Sequence, residues 1–547
     1  KCAENFELKR DLVTFLQNSV RDPKLQFFDM KVKLQACVRL RERMLAIIEE
    51  FGCDYVVATL RRTLEDTEAE VKRRIEEMPD GVCRINTYLD TSLREHVLAK
   101  WPIAITVEGE RMSFDFRGAC PELRNRSINA ALGSLKASLL SNVVLYIWPD
   151  LPANQGAFSP IDIVTNRNSL LDPSDDAPNA MSLLPLFRAL STPSLVMAKF
   201  LYCMPRRYTA INASHYNQPA TFVYGGLTQH IEVTGNFCAD INGNGAGGRE
   251  DNDGEHAMSP TFGSFADTGE FELAEEELPF VRLVAQKLTV DRMGFGKYRG
   301  GLGYEQIVTV KGSNQFGFMT GQCGAKHPSA YGLFGGYACP AYPLAKIKDV
   351  NVFDTMRDAP ERIQFSMVDL MNEQAIPGGR YVMQDAGMPF EICAEGEVYM
   401  ICQGAGGGYG DVLERDPALV MQDIEDAILT PAVARDIYAV VFDEQTRLVD
   451  VAATAAQRAA LRKARIARGA PFDDFCARWV TPGPDPALPY FGAWGDNTGP
   501  ILAHAPGAAP ISMPADAVQG VMLSNPKDRR IAELEAEVAA LRARATH

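Results

Sequence analysis

The chain has 547 residues, 46% hydrophobic and 23% charged, with a formal net charge of −15. That is globular composition, long enough for more than one core. The acidic balance argues against a nucleic-acid-binding protein, which needs clustered Lys and Arg.

No apolar run reaches membrane-spanning length and no signal peptide is visible, so a soluble, cytoplasmic protein is expected. The twelve cysteines are scattered, none in a Cys-x-x-Cys pair. They read as reduced thiols rather than a disulfide framework or a zinc site. The chain opens on Lys1 in sequence that is already helical in character, so the polypeptide is expected to begin upstream.

In chain order, Cys37, Leu40, Met44, Ile47, Ile48 and Phe51 recur at helical spacing. Gly52 is a stop and Asp54 the next N-cap. A second helix runs to about Met78 with Val56, Leu60, Leu64, Val71 and Ile75 on one face. The two form a helical hairpin whose Arg/Glu-rich face is solvated.

The period then changes to two. Ile103, Ile105 and Val107, then Met112, Phe114 and Phe116, predict a β-hairpin turning at Gly109. An apolar, buried helix is expected near residues 128–147. From Ala153 to Glu277 the pattern is broken, and short strands and long loops are expected. "FVRLVAQKLTV", "YEQIVTV", "NQFGFMTGQ", "ERIQFSMV" and "EVYMICQG" read as strands. Helices follow at 417–428 and in "TAAQRAALRKARIARG". Ile531, Leu534, Val538 and Leu541 give two heptads.

The expected fold class is α+β. It has a helical hairpin at the N-terminus, mostly antiparallel mixed sheets in the middle, and C-terminal helices with a short coiled-coil tail. The expected segments are a helical hairpin over 1–80, an α+β domain with long loops over 81–279, and a β-rich domain with Gly-rich motifs over 280–442. A helical segment over 443–480, a Pro/Gly/Ala-rich linker over 481–526 and a heptad helix over 527–547 complete the chain.

Walker A, His-Glu-x-x-His and Gly-x-Ser-x-Gly signatures are missing. His215, His230, His256 and His327 read as hydrogen-bonded structural histidines. Asp240, Asn242, Asn244 and Gly245 fit the first half of a calcium loop, with Asp251 where a bidentate Glu is expected. Gly247 and Gly248 replace its apolar anchor and no helices flank it, so a flexible Gly/Asn loop is the better reading.

"VDRMGFGKYRGGLGYEQIVTV" packs Gly294, Gly296, Gly300, Gly301 and Gly303 around Lys297 and Arg299. A phosphate cradle needs a helix after its glycines. Here strands lie on both sides, so the glycines are read as left-handed or close-approach positions of a tight strand connection. Arg299 remains able to reach an anion. In "QGAGGGYGDVLERDP" the order is strand, Gly404 to Gly410, Asp411, helix. No Lys follows, and Asp411, Glu414 and Asp416 would repel phosphate. The candidates for contact with a substrate or intermediate are Arg299, Gly300, Gly301, Gly407, Gly408 and Asp411; no catalytic residue is assigned.

Together "DRMGFGKYRGGLG" and "GAGGGYGDVLERDPALVMQDI" resemble the hydantoinase B family, over about residues 25–480. "MSFDFRGACPE" and "LPANQGAFSPIDIVTNRNSLLDP" agree in character. The family includes non-ATP-binding subunits of hydantoinases and 5-oxoprolinases and the related subunits of ketone carboxylases. "ARGAPFDDFCARWVTPGPDPALPYFGAW" is similar to carboxylase tails, which points to an acetone- or acetophenone-type enzyme. The resemblance implies an ATP-dependent ligase active only as a complex, making a 3-oxo acid from a ketone and bicarbonate. ATP with Mg would sit on a hydantoinase A-like partner, beside a small third subunit. Manganese or another divalent metal would be held by His and Asp residues of an N-terminal portion. That portion has no counterpart here, so the resemblance places no metal ligand on this chain. The alternatives are a subunit of an ATP-dependent cyclic-amide hydrolase and a non-catalytic scaffold.

Overall fold

A computed structural model describes residues 2–20, 23–92, 96–205, 207–215, 221–228, 230–237, 243–258, 278, 280–313, 316–321, 327, 330–342, 344–384, 390–479, 490–491, 534 and 538. Most of the expected linker and heptad helix lies outside these residues. Leu534 and Val538 of the heptad are helical and exposed.

A small hairpin, β1 (Ala3–Glu4) and β2 (Glu7–Leu8), leads into helices α1 (Arg10–Asn18), α2 (Pro23–Phe51) and α3 (Cys53–Glu76). The turn from α2 to α3 is one residue, Gly52, whose φ of 86° suits a residue without Cβ. The apolar stripe expected to bury these helices is only partly used. Met30 is the sole buried residue of α2, and Leu40, Ile47, Phe51 and Leu60 are exposed. The far end of α3 does enter the core, through Val71 and Ile75.

Strands β3 (Gly81–Thr91), β4 (His96–Glu108) and β5 (Arg111–Asp115) pair antiparallel, with Gly109 at φ 57° turning β4 into β5 as its position predicts. Helix α4 (Leu132–Asn142) runs into a π-turn at Val143–Ile147, shorter than the helix expected from Ile128. Strand β6 (Ile161–Val164) adds parallel to β5.

The sequence reading of short strands and loops from Ala153 onward misses α5 (Leu183–Tyr202). Pro193 lies inside it, where proline removes a helix hydrogen bond. Burial outweighs that cost: sixteen of its twenty residues are buried, and Asn142 Nδ2 donates to the Leu190 carbonyl at 2.7 Å in the turn before the proline. These elements enclose the first core, around Trp101, Phe114, Phe116 and Trp148.

Two more sheets follow. Strands β7 (Thr221–Leu227) and β8 (Val233–Phe237) belong to a four-stranded sheet, with β9 (Val281–Leu288) and β10 (Tyr304–Val310) in a five-stranded one. Strands β11 (Phe316–Gly321) and β12 (Leu344–Lys348), helices α6 (Val352–Asp358) and α7 (Met367–Glu373), and strands β13 (Arg380–Gln384), β14 (Phe390–Ile392) and β15 (Val398–Cys402) follow in the chain. "ERIQFSMV" is therefore not a strand. Ser366 caps α7 instead, its hydroxyl accepting from the Asp369 amide.

The five-stranded sheet has the order β13-β12-β15-β10-β9 and is antiparallel throughout. It is buried on both faces. Ile307, Val398 and Met400 pack with the helices. Val308, Val310, Tyr399 and Ile401 pack with Tyr224, Phe316 and Phe318 of the β14-β11-β7-β8 sheet. This explains why β10 and β15 read as continuous apolar runs. Helices α8 (Pro417–Glu425), α9 (Pro431–Asp436), α10 (Val451–Ala467) and α11 (Phe472–Trp479) close the described α+β fold. A short β16 (Tyr490–Phe491) lies parallel to β4.

Candidate functional site

The two glycine motifs meet at the centre of the molecule. Gly406, Gly407 and Gly408 donate their amides to Gly301 O at 3.0 Å, Ser214 O at 2.9 Å and Tyr337 O at 2.9 Å. Their carbonyls accept from Gly294 N at 3.0 Å, Gly248 N at 2.8 Å and Leu333 N at 2.9 Å. Successive residues thus bond in three directions. A β-strand bonds to at most two neighbours in one plane, whereas an extended helix of three residues per turn spreads its bonds around the axis. Backbone hydrogen bonds of this kind tie the segments 211–215, 243–256, 292–303, 330–337 and 403–410 into one bundle.

Backbones this close leave no space for a side chain. A Cβ on Gly300 would lie 2.0 Å from Gly406 O, on Gly301 1.8 Å from Glu255 O, on Gly407 2.1 Å from Tyr331 O, and on Gly408 2.1 Å from Phe295 O. The first motif is therefore a close approach, and not a tight strand connection. It is a long excursion between β9 and β10, and none of its five glycines has positive φ. Three of its glycine amides are also occupied: Gly294, Gly300 and Gly301 donate to Gly406 O, Gly294 O and Ala246 O. They are not free to cradle phosphate. The segment read as a flexible loop also belongs to the bundle. Residues 243–248 are buried there, while Asp240 and Asn242 lie outside the described residues.

Arg299 is directed inward. Its Nε donates to Asp423 Oδ1 at 2.9 Å, and its backbone amide donates to Asp253 Oδ1 at 2.8 Å. Fully buried Arg415 bridges the same acids, to Asp253 at 2.6 and 2.8 Å and to Asp423 at 2.7 Å. Burial pushes the Asp253 carboxyl up, but its hydrogen bond and proximity to Arg415 and Arg299 outweigh this and hold it below its ordinary value. Two cations and two carboxylates thus lock the bundle to α8. Arg299 Nη1 is buried without a partner. Asp411 sits at the rim, where it caps the turn at Leu413 and pairs with Arg465 at 2.9 Å. The six candidate residues share one scaffold, but their polar groups bond mainly to the protein.

Buried His215 accepts from the Gly247 amide at Nδ1, at 2.9 Å, so its proton sits on Nε2 and faces the Asn212 side chain, also at 2.9 Å. Burial, reinforced by Arg249, lowers it to about 4. His256 accepts from Leu302 N, and burial and Arg299 lower it likewise to about 4. Both are neutral structural groups at pH 7. No set of three His, Cys, Asp or Glu side chains able to hold a metal comes together among the described residues. With both imidazoles engaged at Nδ1, the described residues do not fit a metal centre.

A second polar cluster lies beside the bundle, unmarked in the sequence. Fully buried Arg188 of α5 donates to the Tyr88 carbonyl, and the His327 amide donates to Asp90 Oδ2 at 3.0 Å. The His327 ring stands between those of Tyr88 and Tyr331, at 5.5 and 6.2 Å. No spacing announces this cluster, because β3, α5 and the 327–331 segment are far apart in the chain.

Residues 1–412 match the model of the Hydantoinase B/oxoprolinase family, and the chain belongs to that family. The acetophenone carboxylase delta subunit of Aromatoleum aromaticum is 30% identical over 501 residues, covering 91% of this chain and 73% of that subunit. Among solved structures, nucleotide-free acetone carboxylase, from work on ATP-dependent acetone carboxylation, matches with a TM-score of 0.78 and 22% identity. The match covers 87% of this chain and 65% of that one. The ATP-dependent caprolactamase of Pseudomonas jessenii matches with a TM-score of 0.68 and 17% identity, covering 84% of this chain and 73% of that one. These structures share the fold. The chain spans slightly less than two thirds of the acetone carboxylase chain it matches.

Proposed function

We propose that this chain is the hydantoinase B-like subunit of a cytoplasmic, ATP-dependent ketone carboxylase complex. The complex joins acetone or acetophenone to bicarbonate and yields a 3-oxo acid. One observation carries the reading: the similarity to the acetophenone carboxylase delta subunit covers 91% of the chain, and so extends past the family match at residue 412. ATP with Mg is assigned to a hydantoinase A-like partner, with a small third subunit completing the complex. The consumed glycine amides support this division, since the motif nearest to a phosphate loop spends those of Gly294, Gly300 and Gly301 on other backbone carbonyls.

Activated carboxyl and enolate species are lost to water, so they need enclosed, water-free walls. The glycine bundle supplies a rigid wall of satisfied backbone. Any manganese or other divalent metal of the complete enzyme is assigned outside the described residues, and no step is routed through it here. The test is ATP hydrolysis by the co-purified complex with bicarbonate and either ketone. Ketone-dependent hydrolysis with 3-oxo acid formation is expected; its absence sinks the reading.

The caprolactamase likeness favours a second reading, cyclic-amide hydrolysis. The same complex would then open a lactam or hydantoin without bicarbonate. A purely scaffolding subunit is the third. Native mass spectrometry with metal analysis would then find partners but no catalytic metal.

A further inference from the structure

A cavity of about 260 Å3 lies between the second half of α5, strand β3 and the segment 331–333. Ile85, Leu195, Val196 and Leu333 give it apolar walls, and Lys199 and Tyr331 are the polar side chains of its lining. Positions 195, 196 and 199 fall on one face of α5, so the helix presents two aliphatic groups and one ammonium together. Lys199 forms no ion pair or hydrogen bond among the described residues, although nearly every other cation close to the bundle is paired. The Tyr331 hydroxyl is buried without a partner of normal geometry, beside the Arg188 guanidinium. Next to the cavity, the same two elements are clasped by the Tyr202 and Phe334 rings, 4.9 Å apart. Phe334 holds that position with φ of 49°, a conformation that costs a non-glycine residue about 1 kcal/mol or more.

A pocket of this size lies just below the range of about 300–1,000 Å3 typical of drug-sized ligands, and so suits a ligand smaller than a nucleotide. Apolar walls with one unpaired ammonium suit a small anion with an apolar body. We propose that this cavity binds a small monocarboxylic acid, with its aryl or alkyl body against Leu195, Val196 and Leu333 and its carboxylate on Lys199. Its assignment as the 3-oxo acid product rests on the carboxylase reading above. The chemistry of the pocket does not.

The experiment is calorimetric titration of the full chain with 3-phenylpropanoate and with its uncharged analogue 4-phenylbutan-2-one. Both should bind the unaltered chain. Lys199→Met keeps the aliphatic stem of an exposed residue and should fold. It should weaken the acid about tenfold or more and leave the ketone unchanged. Leu195→Phe should fill the cavity and abolish both, with its melting curve recorded beside it. No heat from the acid, equal acid affinity in Lys199→Met, or undiminished binding in a folded Leu195→Phe would each overturn the proposal. Acid binding by a chain whose complex turns over no ketone leaves the pocket standing and removes the carboxylase assignment. Ketone turnover without acid binding does the reverse.

Discussion

Arg415 grips both carboxylate oxygens of Asp253, with Nη1 2.6 Å from Oδ1 and Nη2 2.8 Å from Oδ2. Residues 162 positions apart thereby fasten the buried bundle to the start of α8. Removing one partner of a buried pair strands the other charge. Asp253→Asn should cost about 3 kcal/mol, read as a lower urea midpoint. Asp251→Asn, two residues away and exposed, should stay within about 0.5 kcal/mol.

Glycine-to-alanine changes should divide by location. At Gly406 a Cβ would lie 1.9 Å from Ala246 O, where no flexible side chain can yield. Gly406→Ala should destabilise by about 3 kcal/mol or more. Gly133, in the first turn of α4, has open space around it and no positive φ. Gly133→Ala should instead stabilise by about 0.5–1 kcal/mol. Differential melting of the two variants checks both signs.

Acid should weaken the fold before most carboxylates titrate. His215 is held at about 4 when folded, against 6.5 unfolded, so the unfolded chain binds more protons between those values. Its contribution is complete above pH 6.5 and is lost as the pH falls towards 4, up to about 3 kcal/mol at about 1.4 kcal/mol per pH unit. His256 adds in the same direction. Denaturation series from pH 7 to 4 should show this slope, and His215→Gln should reduce it.

The exposed stripe on α2 and α3 should be indifferent to polarity in the isolated chain. Leu40 and Leu60 are more than half exposed. Leu40→Ser and Leu60→Ser should each change its stability by less than about 0.5 kcal/mol. Denaturation midpoints within error of the parent would bear this out.

Much of this fold could be read from local pattern. The β4–β5 hairpin follows from alternation plus Gly109, and β10 and β15 follow from their β-branched apolar runs, because one segment carries the whole signal. Helix α5 could not be read, since Pro193 speaks against a helix and only tertiary burial overrules it. The glycine motifs were visible as motifs, but their geometry was not. Gly300 and Gly406 are neighbours only after folding, and a glycine that avoids a clash looks the same in one dimension as a glycine that makes a turn. Arg299 was misleading for a similar reason: its partners Asp253 and Asp423 are distant in sequence, so an inward-facing cation read as available. Lys199, by contrast, sat unnoticed among the apolar residues of a segment taken for loops.

The bundle also constrains how the chain can fold. Its segments come from positions 211 to 410, and glycines carry almost no apolar surface to drive collapse. Pairings of such long range are slow to form, because loop closure precedes any return in contacts. The bundle should therefore assemble late, once the cores around Trp101 and the five-stranded sheet hold its segments in place. Its innermost segment is the last to be synthesised. Until residues 403–410 arrive, Gly245, Gly248, Gly294, Tyr298 and Leu333 of three earlier segments wait with unanswered amides, which makes that octapeptide the closing step of the bundle.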